Sequence, residues 1–232
     1  MKNKSPLRYP GGKTRACKIL ESVLINHFDI SKFNNIISPF FGGGSFEFYM
    51  QNKYNLNIIA NDKFTPLFYF WNTCKYRKKE LCQMLYVEIG YITKEKFKKL
   101  RLQIMNEKDT LKQAMMYFII NRCSFSGSTL SGGYSQNASD KRFTTSSIDR
   151  ISKLDLSKFT INNLDFEIFM NHTPDELFFL DPPYYLEKKS KLYGKNGNMH
   201  DTFDHNRLFH CISTKNNWLM TYNDCKYIRD LY

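Results

Sequence analysis

The run Leu177-Phe-Phe-Leu-Asp-Pro-Pro-Tyr-Tyr185 sets a carboxylate, two prolines and two aromatic rings directly after four apolar residues. The apolar four predict a buried strand, and the prolines, which lack a backbone N–H, end it. In an open α/β sheet, ligands bind beyond the carboxyl ends of the strands, so Asp181 is expected to point into that crevice. Asp181 and the Pro182 carbonyl can together accept both hydrogens of one amino group, and Tyr184 offers a ring for a planar base. This set suits chemistry on an exocyclic base amine. Such an amine is a poor nucleophile because its lone pair is delocalised into the ring. Two acceptors on its hydrogens favour a pyramidal nitrogen whose lone pair can aim at an electrophilic carbon, and alignment of the partners supplies much of the rate. Inside a duplex the amine is out of reach, so the base must first leave the stack.

Residues 38–47, SPFFGGGSFE, read as a glycine turn between a strand and a helix. Glycines permit the sharp bend, and a helix N-terminus offers unpaired N–H groups. Asp62 lies 62 − 44 = 18 residues beyond the last of these glycines, at the tip of the next expected strand, where an acid can accept both ribose hydroxyls. The dinucleotide pattern G-x-G-x-x-G fails, because Glu47 stands where its last glycine belongs, and an acid there repels a pyrophosphate. The ligand is therefore read as a nucleoside without phosphates. S-adenosyl-L-methionine fits, with a ribose for Asp62, an adenine for an apolar slot and a carboxylate for Lys13. Lys13 itself sits in SPLRYPGGKTR, which resembles the end of a phosphate loop but has Leu7 in place of the first glycine and no strand before it.

The elements that must position these residues follow from the apolar runs. Asn34–Ser38 and Leu56–Ala60 predict strands flanking a helix that starts near Phe46, a βαβ unit and hence a parallel sheet. Leu177–Leu180 and Trp218–Tyr222 predict two further strands, and Thr160–Asn163 an edge strand. Between them, charged residues follow helical spacing from Lys75 to Gln113, and Leu111–Phe125 is an apolar helical pattern. Ser126–Ser147, rich in Gly, Ser and Thr, reads as a long functional loop. The expected division is a sheet domain from residues 1–74 and 158–232, and a helical and loop insertion over residues 75–157. The expected fold class is α/β, an open parallel sheet with an inserted helical domain.

The 232 residues carry a net charge of +12, and the sequence pI is about 9.3. Residues 75–113 hold 11 Lys/Arg and 5 Asp/Glu, so half of the excess charge falls in one sixth of the chain. This points to a polyanionic partner, nucleic acid before an acidic membrane surface. No run approaches the roughly 18 apolar residues of a membrane helix, and the basic start has no apolar run behind it, so neither a span nor a secretory signal is expected. The six cysteines form no C-x-x-C pair, which fits reduced, buried intracellular thiols and no metal site. His200, His205 and His210 fall five apart, which does not face them together on a helix; packing roles are expected, with His205 near a helix start.

Taken in order, these motifs make the sequence similar to the Dam-type (alpha-group) N6-adenine DNA methyltransferases. Arg8-Tyr-Pro-Gly-Gly-Lys13 resembles the family's N-terminal cofactor motif, Pro39-Phe-Phe-Gly-Gly-Gly44 its glycine motif and Asn61-Asp62 its ribose acid. Asp181-Pro-Pro-Tyr184 resembles its catalytic motif, and Thr221-Tyr-Asn-Asp224 with Ile228–Tyr232 its late strand and helix. The resemblance implies a Rossmann-like methyltransferase sheet as catalytic domain, with residues 75–157 as the inserted helical target-recognition domain. It implies site-specific transfer of a methyl group to adenine N6, with Asp181, Pro182 and Tyr184 catalytic. It implies a cofactor site from Tyr9, Lys13, Pro39, Phe40, Gly42, Gly44, Ser45, Asp62, Asp165, Phe166 and Asp181, with Asp165 and Phe166 bracketing the cofactor adenine. DNA contacts are expected from Arg122, Phe125, Tyr134, Arg142 and Lys188, with Asn121-Arg122 and the aromatic near Phe125, which family members share, steadying or wedging the duplex. The implied partners are double-stranded DNA and a separately acting cognate restriction endonuclease, for a monomer inside the cell. Members that read GATC carry a different pattern after the aromatic from Ser126–Tyr134, so another recognition sequence is expected. The family also continues past the position of Tyr232 with a further strand pair.

Three other readings compete. Cytosine-C5 chemistry needs a nucleophilic Cys, usually after Pro, and no Pro-Cys dipeptide occurs. Cytosine-N4 methylation uses the same amine logic, and Asp before Pro-Pro-Tyr favours adenine only by resemblance. A non-catalytic or truncated DNA-binding relative is the alternative from another class.

Overall fold

The computed structural model describes residues 3–185 and 203–232. They form two compact units, one of residues 13–41, 46–63 and 158–232, the other of residues 1–12, 42–45 and 64–157.

The first unit is built on a five-stranded parallel sheet: β1 Asn35–Ser38, β2 Asn57–Asn61, β3 Phe159–Asn162, β4 Leu177–Leu180 and β5 Trp218–Met220, in the order β3-β2-β1-β4-β5. Every expected strand forms, each within a residue or two of its sequence limits, and β3 lies on an edge. β4 is buried at all four positions, as a parallel strand covered on both faces must be. Its side chains alternate between the faces. Phe179 meets Phe46 at 4.4 Å, whereas Phe178 and Leu180 join Ile37 in a cluster with Phe166, Phe169 and Met170 of α9 (Phe166–Asn171) and Leu208, Cys211 and Ile212 of α10 (His205–Ile212). Phe46 belongs to α2 (Ser45–Tyr54), so α2 packs on the face opposite to that cluster, and α1 (Cys17–His27) precedes β1 in the chain. Because β1 leads outward to β2 and β3 while its other neighbour is β4, the order reverses between β1 and β4. A crevice at the carboxyl ends of these two strands is where such sheets hold ligands.

The second unit is helical: α3 Thr65–Tyr76, α4 Lys78–Tyr86, α5 Lys94–Gln103, α6 Thr110–Cys123, α7 Gln136–Arg142 and α8 Thr145–Ser152. It ends at Ser157, but it takes in α3 and the first twelve residues, which the sequence reading had grouped with the sheet. The reason is apolar: Phe70 stacks on Phe118 at 5.6 Å and 4°, and Trp71 is fully buried. The stretch Ser126–Ser147 is not the long loop its composition suggested. It contains a 3-10 turn, Thr129–Ser131, all of α7 and the start of α8, with Ser135 capping α7 and Thr144 and Ser147 forming a capping box on α8. Short helices started by Ser and Thr carry too few apolar residues to show a period.

The turn from β1 into α2 buries an acid. Glu47 is 2% exposed, and Ser38 Oγ at the tip of β1 donates to its Oε1 at 2.5 Å. Burial drives its pKa from the ordinary 4.5 to about 7, against the pull of the Ser38 bond, with Asp181 adding to the rise and Lys13 opposing it. Between about pH 4.5 and 7 the folded chain thus holds a proton that the unfolded chain has lost, and stability falls as pH rises through that window. Glu47→Gln keeps an acceptor for Ser38 and cannot ionise. Urea denaturation at pH 5 and pH 8 should show the variant gaining on the wild type at the higher pH, by on the order of 2 kcal/mol. An equal difference at both pH values would clear Glu47 of this role.

Candidate active site

Lys13 opens a short 3-10 turn, Lys13–Arg15, just before α1. Its Nζ lies 2.7 and 2.6 Å from the two carboxylate oxygens of Asp181, which follows β4 directly. The partner that the sequence reading sought outside the chain is, in this structure, the catalytic-motif carboxylate. Thr221, next to the end of β5, donates its hydroxyl to Asp181 Oδ1 at 2.6 Å. The pair is partly out of water, at 14% and 23% side-chain exposure. Burial alone would depress the lysine, but the Asp181 charge and hydrogen bond outweigh it, with Tyr184 adding to them, and its pKa lies above the ordinary value.

A carboxylate has about four lone-pair positions. At Asp181, Oδ1 accepts from Lys13 and Thr221 and Oδ2 from Lys13, which leaves one position on Oδ2 among the described residues. Tyr184 lies beside it, with the Lys13 ammonium 5.2 Å from its ring centroid and the Tyr222 ring at 5.8 Å. Behind them, Tyr222 shares a 2.5 Å hydrogen bond with His205 Nδ1, and burial pushes the phenol pKa upward. Tyr185 stacks on Tyr227 at 4.3 Å and sets its edge against His205. His205 is buried at the first position of α10, in the packing role expected of it.

The other sequence candidates in this unit sit along the same strand ends. Pro39 and Phe40 follow β1, with the Pro39 carbonyl accepting from Asn61 Nδ2 at 3.1 Å. Asp62 follows β2, and its backbone N–H pairs with Asn162. Asp165 caps α9 through the Glu167 N–H and is bound by Lys63 and by Arg207. Burial opposes its charge, but these hydrogen bonds prevail and hold the carboxyl below its ordinary range. Phe166 packs between Phe40 and Phe203.

In the helical unit, Tyr9 lies against the glycine turn. A Cβ on Gly42 would come within 2.8 Å of the Tyr9 ring and one on Gly43 within 2.8 Å of its Cβ; Gly42 also has φ +49°. Close approach is required here, and the approaching group is a tyrosine of the chain itself. Trp71 Nε1 donates to the Gly42 carbonyl at 3.0 Å, and Ser45 Oγ would touch a Cβ on Gly12.

The residues expected at DNA divide sharply. Phe125 is 70% exposed. Arg122 is buried, donating to the carbonyls of Arg142 and Pro6, and burial lowers its pKa to about 10; it holds the unit together rather than reaching outward. Tyr134 packs on Phe97 and donates to the Ile92 carbonyl, so its hydroxyl is engaged within the unit. Arg142 is half-buried, and Lys188 lies outside the described residues. Within the basic run, Arg77 pairs with Glu80, and Lys78 binds the Leu154 carbonyl.

Sequence reasoning gave no role to Arg207, read Glu47 only as the acid that excludes a pyrophosphate and Thr221 only as part of a family motif, and took Asn121 with Arg122 as residues that steady or wedge the duplex. Asn121 is fully buried; its Oδ1 accepts from the Arg8 N–H, and its Nδ2 donates to the Arg8 carbonyl and to Thr129 Oγ1. It thereby fixes a turn in which Ser126, Gly127 and Thr129 all have positive φ, directly after the exposed Phe125. A polar residue inside an otherwise apolar helix was the available signal.

At the sheet's carboxyl edge Lys13 is paired with Asp181, and Lys63 and Arg207 with Asp165, so these cations are already neutralised, a balance that disfavours a phosphate. Among the described residues, no group of three or more His, Cys, Asp or Glu side chains is placed to hold a metal, and no helix is long and apolar enough to cross a membrane.

Comparison with known proteins agrees with this arrangement. The chain is 26% identical over 203 residues to the Type II methyltransferase M.MjaIII of Methanocaldococcus jannaschii, a similarity that covers 79% of this chain and 70% of that protein. Residues 9–232 match the family model of D12 class N6 adenine-specific DNA methyltransferases. That span takes in Lys13, the glycine turn, the Asp181 strand end and the helices between them. By that match the chain belongs to the D12 class of N6 adenine-specific DNA methyltransferases, and its function is DNA adenine methylation.

Proposed function

We propose that the chain transfers a methyl group from S-adenosyl-L-methionine to the N6 amine of an adenine turned out of duplex DNA at a short fixed sequence. The observation that carries this reading is the state of Asp181. It is oriented by Thr221, charge-balanced by Lys13 and left with one acceptor position at the reversal of the strand order.

The residues fit the cofactor by the chemistry of their donors and acceptors. Lys13 would bind its methionine carboxylate, Asp62 its ribose hydroxyls, and Asp165 with Phe166 its adenine. Pro39 and Phe40 would shape the strand end beside them, and by family position Tyr9, Gly42, Gly44 and Ser45 are the candidates that the helical unit offers. When bound, this cofactor supplies an electrophilic methyl on a sulfonium. Asp181 Oδ2 and the Pro182 carbonyl take one amine hydrogen each, so the nitrogen becomes pyramidal and its lone pair is directed. During transfer the Asp181 carboxylate would stabilise the positive charge that develops on N6, and the one N–H proton that must then leave would pass to water. Tyr184 carries the base on its ring, and the exposed Phe125 occupies or braces the gap in the duplex. Double-stranded DNA is the partner, and a separately acting endonuclease of the same specificity fits the Type II name of the M. jannaschii relative.

Labelled-methyl transfer to unmethylated genomic DNA, followed by modification-aware sequencing, should place the label on adenine N6 in one short motif. Asp181→Ala should lower transfer by about 10²-fold or more. Binding of cofactor and DNA by the wild type without any transfer would instead support a non-catalytic DNA-binding relative. Lys13→Ala should weaken cofactor binding by about tenfold or more while changing DNA affinity little, because it removes a charge-assisted contact. Unchanged cofactor affinity in a calorimetric titration would take Lys13 out of the site.

A further inference from the structure

Asp165 differs from Asp181 in having no acceptor position to spare. Its Oδ1 accepts from the Glu167 N–H at 3.1 Å and from Arg207 Nη2 at 2.7 Å, and its Oδ2 from the same Nη2 at 2.8 Å and from Lys63 Nζ at 2.9 Å. Four donor contacts fill the four lone pairs of the carboxylate. Arg207 does more than pair with this acid. Its guanidinium carbon lies 4.4 Å from the centroid of the Phe166 ring, and its Nε is 3.3 Å from Glu167 Oε2. Phe166 is itself only 5% exposed, with Phe40 and Phe203 at 5.6 and 5.4 Å.

A guanidinium is planar, stacks on aromatic faces and donates in its own plane. An adenine held by the same two residues would stack on the ring and donate from its exocyclic amine to the same carboxylate. Both contacts are already made by Arg207. Of the groups around Phe166 it is also the one able to leave, being a long side chain at 38% exposure beside closely packed aromatic rings.

We infer that Arg207 is a displaceable occupant of the cofactor's base slot, which adenine must expel, so that it sets cofactor affinity from inside the site. The inference rests on the assignment of Asp165 and Phe166 to that slot. Expulsion breaks an ion pair and a cation–π contact. Each is modest in a partly exposed setting, and together they correspond to a penalty of about five- to tenfold in affinity.

Calorimetric and stopped-flow titration of the full chain with S-adenosylhomocysteine tests this, using wild type, Arg207→Ala, Arg207→Lys and Phe166→Leu, each checked for an unchanged thermal transition. Arg207→Ala should bind about five- to tenfold tighter and associate faster. Arg207→Lys, which keeps the charge but cannot lie flat on the ring, should fall between it and the wild type. Phe166→Leu should bind more weakly. If Arg207→Ala binds equally or more weakly while Phe166→Leu still loses affinity, the slot stands and the occupant role is overturned. If neither substitution changes affinity, the base slot is elsewhere and the inference falls with it.

Discussion

The ion pair between Lys13 and Asp181 is the constraint around which the sheet unit is organised. An aspartate at the tip of a fully buried strand loses much of its hydration, and a lysine 14% exposed loses most of its own. Either charge alone would be costly there; together, with the Thr221 hydroxyl, each finds partners. The pair adds little net stability, but it fixes position. It requires β4 beside β1, the Lys13–Arg15 turn above that junction, and β5 beside β4 to deliver Thr221. A change in any of these would leave a charge without a partner, so the strand order and the site's geometry are one requirement.

The glycine turn shows how the same local chemistry can serve two ends. A positive φ and the absence of a Cβ at Gly42 are what a close-approaching ligand needs, yet here Tyr9 lies in the space that a side chain would fill. The aromatic ring and the Trp71 hydrogen bond to the Gly42 carbonyl hold the turn in one conformation before anything binds. Rigidity of that kind lowers the ordering cost of later binding. Three residues after Gly44 in the chain, Glu47 takes the position where the dinucleotide pattern keeps a glycine, and a buried acid there disfavours a pyrophosphate.

Much of the fold was legible because parallel strands buried on both faces read as short apolar runs bounded by turn residues, as Leu177–Leu180 and Leu56–Ala60 do. Asp181 and Lys13 could be named as site candidates from residue type and spacing. Their pairing could not, since the two lie 168 positions apart and nothing local links them. The same limit hid the contacts of Thr221 and Arg207, which come from strand order and helix placement. In the helical unit, composition misled. Gly, Ser and Thr in residues 126–147 suggested an irregular loop, but Ser and Thr caps began short helices there. Arg122 was expected at DNA from the family resemblance, and its burial among carbonyls was invisible without coordinates.

Comparison of the two aspartates gives a physical criterion for which acid meets which amine. Asp181 has three of its four acceptor positions filled by groups that orient and neutralise it, so an incoming N–H completes its shell and displaces nothing. Asp165 has four filled, so any donor arriving there must exchange with one already present. An open position suits a reacting nitrogen, because alignment is not spent on breaking another contact during attack. A filled position suits a group that is only held, where exchange alters affinity without touching the geometry of the reaction. On the proposed assignment, the hydrogen-bond count of the two carboxylates would separate amine activation from cofactor retention.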